Sequence, residues 1–177
     1  STYGKPAYRL PDQAETEAVI VDWLEETMDQ PGVLLGYALG RAQELIELAD
    51  RAGRDRIRYT PSIGALNEPI AAAQERSFPG AVESRIMPEP GDALILPAQT
   101  GSLSFVETLR EDEDAILAGF SGWAIDDSYR YARDLDVAFP LSDHCDFDEL
   151  RSLVDAVDPS RVYTHHGSVA SLATQLT

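Results

Sequence analysis

Short apolar runs alternate with amphipathic segments along almost the whole chain, and this alternation restricts the fold more than any other feature. The apolar runs are VLLGYAL, RIRYT, GDALILP, DAILAGF and DVAFPL. Segments with helical periodicity separate them, such as GRAQELIELADRAG, in which Ala42, Leu45, Ile46 and Ala49 share one face. Apolar strands that alternate with helices are typical of a mostly parallel sheet with helices on both faces. The sequence therefore predicts an α/β fold.

Capping residues predict where several helices begin and end. Asp12 is a candidate N-cap for AETEAVIVDWLEETM, and Gly53 stands at the C′ position of the next helix. Asp146 is a candidate N-cap for FDELRSLVDAV, and RVYTHH and GSVASLATQL are predicted as a further strand and helix. Pro69 must lie early in its helix or kink it.

The charge of the chain is unusual. Asp and Glu number 31 against 14 basic residues, which gives a net charge of −17, and Lys5 is the single lysine. Dispersed acidic charge destabilises a compact state at low salt, whereas at about 1 M salt the Debye length falls to about 3 Å and the repulsion is screened. We interpret the composition as that of a cytoplasmic protein from a salt-loving organism; an ordinary acidic protein is the alternative. Nonspecific electrostatic binding of nucleic acid is disfavoured.

Other features exclude several classes of protein. No apolar run is long enough to cross a membrane, so no membrane partner is expected. Cys145 is the single cysteine, which excludes intrachain disulfides and fits a reducing compartment. The phosphate-binding fingerprints GxGxxG and GxxxxGK[ST] are absent.

All three histidines follow predicted strands. His144 lies between an apolar strand and a helix, and His165 and His166 end the next predicted strand. Ligands of parallel sheets bind at the carboxyl ends of the strands. The spacing leaves two readings open, loop-capping imidazoles or a functional site, because zinc normally requires three or four protein ligands.

Several segments together resemble the β-CASP branch of the metallo-β-lactamase-fold nucleases. The matching segments, in order, are STYGKPAYR, YALGRAQELIEL, AGFSGWAIDD and PLSDHCDFDELRSLVDAVDPSRVYTHHG. The pattern is closest to the archaeal mRNA 3′-end processing factors and to the exonucleases associated with DNA ligase. The resemblance implies a β-CASP cassette over residues 1–134. It also implies the closing strand-helix elements of a metallo-β-lactamase αββα domain over residues 135–177.

The resemblance also implies roles for individual residues. His144 matches the motif B histidine, a general acid facing the scissile phosphate, and His166 matches the motif C histidine, a zinc ligand. Ser142 matches a phosphate-holding position. The helix start at Gly40 and Arg41 could also hold a phosphate, although a tight turn and an exposed arginine are the plainer reading. Two zinc ions would complete such a site, and the substrate would be a single strand or end of RNA or DNA.

The chain departs from the family in one respect. The first metal motif, HxHxDH, and the later upstream ligands are absent, so we expect these 177 residues to be the C-terminal portion of a nuclease, an exonuclease by family type, and inactive alone. A truncated sheet would expose apolar surface, so a homodimer is expected. The alternatives are a degenerate β-CASP module that scaffolds a nucleic-acid-processing partner and an unrelated nucleotide-binding domain.

Aromatic residues offer one further feature. Trp123 and the run from Tyr129 to Tyr131 could stack on bases, although aromatic residues more often belong to a core. Cys145 is expected to have a packing role.

Overall fold

Six parallel strands form one sheet, in agreement with the predicted α/β fold. The computed structural model describes residues 2–83, 87–100 and 104–176. The strand order across the sheet is β3-β2-β4-β1-β5-β6, and every pair is parallel. The strands are β1 (Gly32–Gly36), β2 (Arg56–Tyr59), β3 (Ala81–Val82), β4 (Asp92–Pro97), β5 (Ile116–Phe120) and β6 (Val137–Phe139).

Helices connect the strands and cover both faces of the sheet. They are α1 (Gln13–Glu26), α2 (Arg41–Arg51), α3 (Pro61–Gln74), α4 (Ser104–Glu113), α5 (Ser128–Ala132), α6 (Phe147–Val157) and α7 (Val169–Gln175). Short 3₁₀ turns span Ala98–Thr100 and Gly122–Ile125. None of the helices in the described ranges is long and apolar enough to cross a bilayer.

Alternate residues of each central strand pack into two separate hydrophobic cores, one on each face of the sheet. Leu34 of β1 packs with α1, α2 and the start of α3, together with Ile95 and Phe120. Val33 and Leu35 point to the opposite face and pack with α4. This alternation is the side-chain period of a strand, and it explains why β1 and β4 are buried at every position.

The predicted helix ends agree with the structure. The Asp12 carboxylate accepts a hydrogen bond from the Glu15 N–H at 3.1 Å. Gly53 follows the C-cap residue of α2, Ala52, and has a φ of +69°, a conformation that favours glycine. Pro69 lies inside α3 rather than early in it, and Pro61 begins the helix.

The predicted strand RVYTHH differs from the structure. Residues 161–165 have no regular secondary structure, and none of the ladders among the described strands includes them. Val162 and Tyr163 are exposed. A strand needs a neighbour for its backbone hydrogen bonds and a layer to cover its side chains, and sequence alone reports only the propensity. The predicted domain boundary falls between residues 134 and 135. Strand β6, which follows it, pairs with β5, which precedes it, in the same sheet. The division into two domains stays a prediction.

The last two helices pack less completely than the rest. α6 is amphipathic, yet Phe147 is its one buried residue, and Leu153 and Val157 are exposed. In α7 only Leu172 is buried. The molecule therefore presents apolar surface at its C-terminal end.

Candidate functional site

A cleft of about 250 Å³ lies at the carboxyl ends of β1, β5 and β6. The segments 2–3, 37–41, 120–123 and 141–144 line it. The connection after β1 leads to one side of the sheet and the connection after β5 to the other, so the cleft lies where a doubly wound sheet binds ligands. Three predicted site residues meet there: Arg41, Ser142 and His144.

His144 is held by its loop and by a buried ring. Its backbone N–H donates to the Ser142 Oγ at 3.1 Å, which fixes the turn after β6. Its exposed imidazole lies edge-on to Tyr3, with ring centroids 6.0 Å apart at 81°. The imidazole thus faces the cleft from a defined position and remains open to solvent.

The start of α6 anchors the same loop. Asp146 caps the helix by accepting from the Glu149 N–H at 2.9 Å, and Glu149 accepts in return from the Asp146 N–H at 2.9 Å. Asp146 also accepts from the Leu10 N–H at 3.0 Å. The N-terminal segment and the loop that carries His144 are therefore tied together by hydrogen bonds.

Tyr3 forms the floor of the cleft. Its side chain is 3% exposed, and its hydroxyl shares hydrogen bonds with the hydroxyls of Ser121 and Ser142. Burial raises the pKa of Tyr3, and the two serine hydroxyls oppose that rise only partly. One buried phenol thus joins the loops that follow β5 and β6.

Arg41 and Gly40 are already engaged within the protein. Arg41 is 4% exposed, and its guanidinium forms ion pairs with Glu44 and Asp143. Burial raises the pKa of Glu44 in spite of the neighbouring arginine. The Gly40 N–H donates to the Gln43 side chain at 2.7 Å. The prediction of an exposed arginine is wrong, because the ion pair to Asp143 binds α2 to the loop after β6; phosphate binding by Gly40 and Arg41 stays a prediction.

Aromatic side chains surround the mouth of the cleft. Trp123 lies 5.0 Å from Tyr3 and 5.5 Å from Tyr8, measured between ring centroids, and 40% of it remains exposed. Tyr37, which follows β1, is 68% exposed. A ligand in the cleft can therefore contact Trp123, which packs against other rings, and Tyr37, which is mostly exposed.

The predicted zinc ligand, His166, is not among the residues that line the cleft. His166 is in the turn between residues 161–165 and α7, with φ of +58°, and Gly167 follows with φ of +63°. The rings of His165 and His166 are 3.9 Å apart between centroids. The described ranges contain no group of three or more His, Cys, Asp or Glu side chains arranged to hold a metal. These residues alone do not fit a zinc site, which takes three or four protein ligands.

Several cleft residues were not predicted from the sequence. Tyr3, Tyr37, Ser121 and Asp143 lie in the cleft, although no motif singled them out as site residues. The end of β5 could have been identified from the rule that ligands bind where the strand order reverses. Tyr3 gives no local signal, because it meets Ser142 only through the tertiary fold.

Comparison with known proteins gives one informative similarity. No family model matches the chain. A protein named "Probable DNA ligase" from Opitutus terrae is 32% identical over 180 residues, which cover 99% of this chain. The same match covers 17% of that protein, so the chain spans about a sixth of its relative's length and is similar to one segment of a much longer polypeptide.

Proposed function

We propose that this chain is one part of a nucleic-acid-processing enzyme, specifically of a zinc-dependent nuclease that acts on the ends of RNA or DNA. The observation that carries the proposal is the cleft at the carboxyl ends of β1, β5 and β6, in which His144, Ser142 and Arg41 meet. The similarity to a segment of a protein named as a DNA ligase supports a role in nucleic-acid processing. The finer assignment rests on the resemblance of the sequence segments to the β-CASP nucleases alone.

His144 is the proposed proton donor. Cleavage of a phosphodiester leaves an oxygen that needs a proton, and an imidazole can supply one near neutral pH. The Ser142 Oγ and the Tyr3 ring hold His144 at the cleft, and its imidazole is exposed to a substrate. Ser142 could also contact the phosphate, since its hydroxyl lies at the same turn.

Zinc remains part of the proposal, with ligands supplied from outside these residues. Zinc held there would supply Lewis-acid chemistry for hydrolysis of a phosphodiester. His166 is the proposed contribution of this chain to that site. The 17% coverage of the relative agrees with a chain that works inside a larger protein.

The test uses the longest open reading frame that contains this chain. The purified product is incubated with end-labelled single strands of DNA and RNA in high salt, with zinc or with a chelator. We expect zinc-dependent cleavage that His144→Ala and His166→Ala abolish. Cys145→Ser, which changes the exposed neighbour of His144, serves as the matched control and should retain activity.

A folded product without zinc-dependent cleavage overturns the nuclease proposal. Retained binding of single strands by such a product would support the alternative, a module that holds nucleic acid for a partner enzyme. Cleavage that persists in His144→Ala would leave a nuclease but remove His144 from the role of proton donor.

A further inference from the structure

We infer that the cleft binds an unpaired nucleobase by stacking, and that the base rather than a phosphate supplies most of the affinity of the cleft. This inference rests on the proposed function and names the part of the substrate that the cleft recognises. It follows from three properties of the cleft: the packing of Trp123 against other aromatic rings, the pairing of its two opposite charges, and its hydroxyl groups.

Contacts with two tyrosine rings fix the orientation of the Trp123 side chain. Tyr3 packs against it at an interplanar angle of 60°, and Tyr8 packs edge-on at 86°. Two such contacts fix the plane of the indole, because aromatic pairs favour tilted and edge-to-face arrangements. The exposed part of Trp123 therefore meets a ligand without first losing much conformational freedom.

The charges of the cleft argue against phosphate as the main ligand. Among the described residues that line the cleft, Arg41 and Asp143 carry fixed charge, and they pair with each other. The same guanidinium forms a second ion pair, with Glu44. Phosphate sites present arginine, lysine or free amide groups to the anion, and here both the guanidinium and the Gly40 N–H have protein partners.

The remaining polar groups suit a neutral planar ring. The hydroxyls of Ser121 and Ser142 lie beside the Tyr3 hydroxyl on the floor, and each has one donor and two acceptor positions, so a protein partner does not use its full capacity. A cleft of about 250 Å³ is smaller than the usual pocket for a drug-sized molecule, which has about 300–1,000 Å³. One nucleobase is a planar ring system with polar edges that matches this size and chemistry.

The strand must be single at this position. Bases in a duplex are stacked on their neighbours, and removing one costs a few kcal/mol, whereas an end or a single strand offers its bases freely. Binding of this kind depends little on phosphate neutralisation, so it should persist at high salt. A net charge of −17 repels phosphates, so binding through a base suits this chain.

Tryptophan fluorescence can test the inference directly. The chain has two tryptophans, and Trp23→Phe leaves Trp123 as the single reporter. Trp23 packs against Phe139 at 5.3 Å between centroids, so phenylalanine is a conservative replacement. The probes are adenosine, adenosine monophosphate, ribose 5-phosphate, and matched single-stranded and duplex oligonucleotides.

We expect adenosine and its monophosphate to quench Trp123 to a similar extent, at low salt and at about 1 M KCl. Ribose 5-phosphate should have no effect, and single strands should bind more tightly than duplexes. In calorimetry, Trp123→Ala should weaken binding of the single strand by roughly 5- to 150-fold, the range expected for stacking of one base. Trp123→Phe should restore part of the loss.

Quenching by ribose 5-phosphate, or equal binding of duplex and single strand, overturns the inference. So does an absence of quenching by adenosine in a chain whose circular dichroism shows the folded state. These results do not depend on catalysis. Stacking without zinc-dependent cleavage would refute the nuclease proposal alone, and cleavage with no change in KM for Trp123→Ala would refute the stacking site alone.

Discussion

A β-carbon on Gly122 would lie 2.5 Å from the hydroxyl oxygen of Tyr3, so the two residues fit together only because Gly122 has no side chain. The same β-carbon would lie 2.9 Å from the Ser142 Cβ. Gly122→Ala must therefore displace the buried phenol or the loop. We expect a loss of about 1–3 kcal/mol in the free energy of unfolding, measured by urea denaturation, together with weaker quenching by adenosine.

Gly32→Ala is the matched control for that change. A β-carbon there would meet its nearest neighbours at 3.7 and 3.8 Å, which is ordinary contact. Its effect on stability should be much smaller. Equal losses in the free energy of unfolding for the two substitutions would mean that the close approach of Tyr3 to Gly122 does not determine the effect.

Tyr3 should make stability depend on alkaline pH. Burial raises the pKa of Tyr3 in the folded chain, so its contribution is fully present below the unfolded pKa of about 10. As the pH rises further, the unfolded chain ionises first and stability is lost. The stability advantage of the wild type over Tyr3→Phe should therefore shrink above about pH 10.

Tyrosinate absorbance provides the second measurement for Tyr3. One of the seven tyrosines should ionise late in the folded wild type, and that late step should be missing from Tyr3→Phe. A constant difference in stability between the two proteins from neutral to alkaline pH would contradict the prediction.

The ion pair between buried Arg41 and the mostly buried Glu44 should contribute more than an exposed pair. Arg41→Ala leaves the mostly buried carboxylate of Glu44 without its cation, and we expect a cost of roughly 3 kcal/mol or more. The control is Arg51→Ala, which breaks the more exposed pair with Glu17 at 2.9 Å and should cost less than about 1 kcal/mol. Thermal unfolding of both variants measures the difference, and similar values would disprove it.

Salt should stabilise the chain. The net charge of −17 is repulsive, and the Debye length falls from about 30 Å at 0.01 M to about 3 Å at 1 M. The Tm should rise over this range. The double substitution Glu111→Gln and Asp112→Asn removes two negative charges from an exposed run, so its Tm should rise less steeply. A Tm that is independent of salt would count against adaptation to brine.

The apolar face of α6 should promote association of two copies. Leu153 and Val157 are exposed on this helix, and such patches bind other apolar surfaces. Sedimentation velocity should show concentration-dependent dimers that Leu153→Gln with Val157→Gln removes. Val19→Gln, on a similarly exposed position of α1, should leave the dimers intact. A monomer at all concentrations would refute the predicted homodimer.

Local patterns were sufficient to predict most elements of the fold. The periodicity of α2 and the capping by Asp12 and Asp146 are encoded within a few neighbouring residues, and the structure agrees with them. Strand β3 was missed because it has two exposed residues and no apolar pattern. Residues 161–165 were predicted as a strand on propensity, which does not specify a partner strand.

The cleft could be predicted only in part. The strand-end rule indicated His144, because the ends of parallel strands meet at one edge of a sheet. Arg41 was singled out as the start of a helix. The strand-end rule does not reveal that Arg41 is paired with Asp143, or that Tyr3 reaches Ser142. Those contacts join residues far apart in sequence, and no periodicity records them.

The four segments that line the cleft run from residue 2 to residue 144, and this has a consequence for synthesis on the ribosome. Tyr3 is translated before Ser142, its neighbour in the finished fold, and more than a hundred residues separate the two in the sequence. Proteins are made at about 5–20 residues per second. For several seconds of its synthesis, each nascent chain holds half of a binding cleft whose other half has not yet been translated.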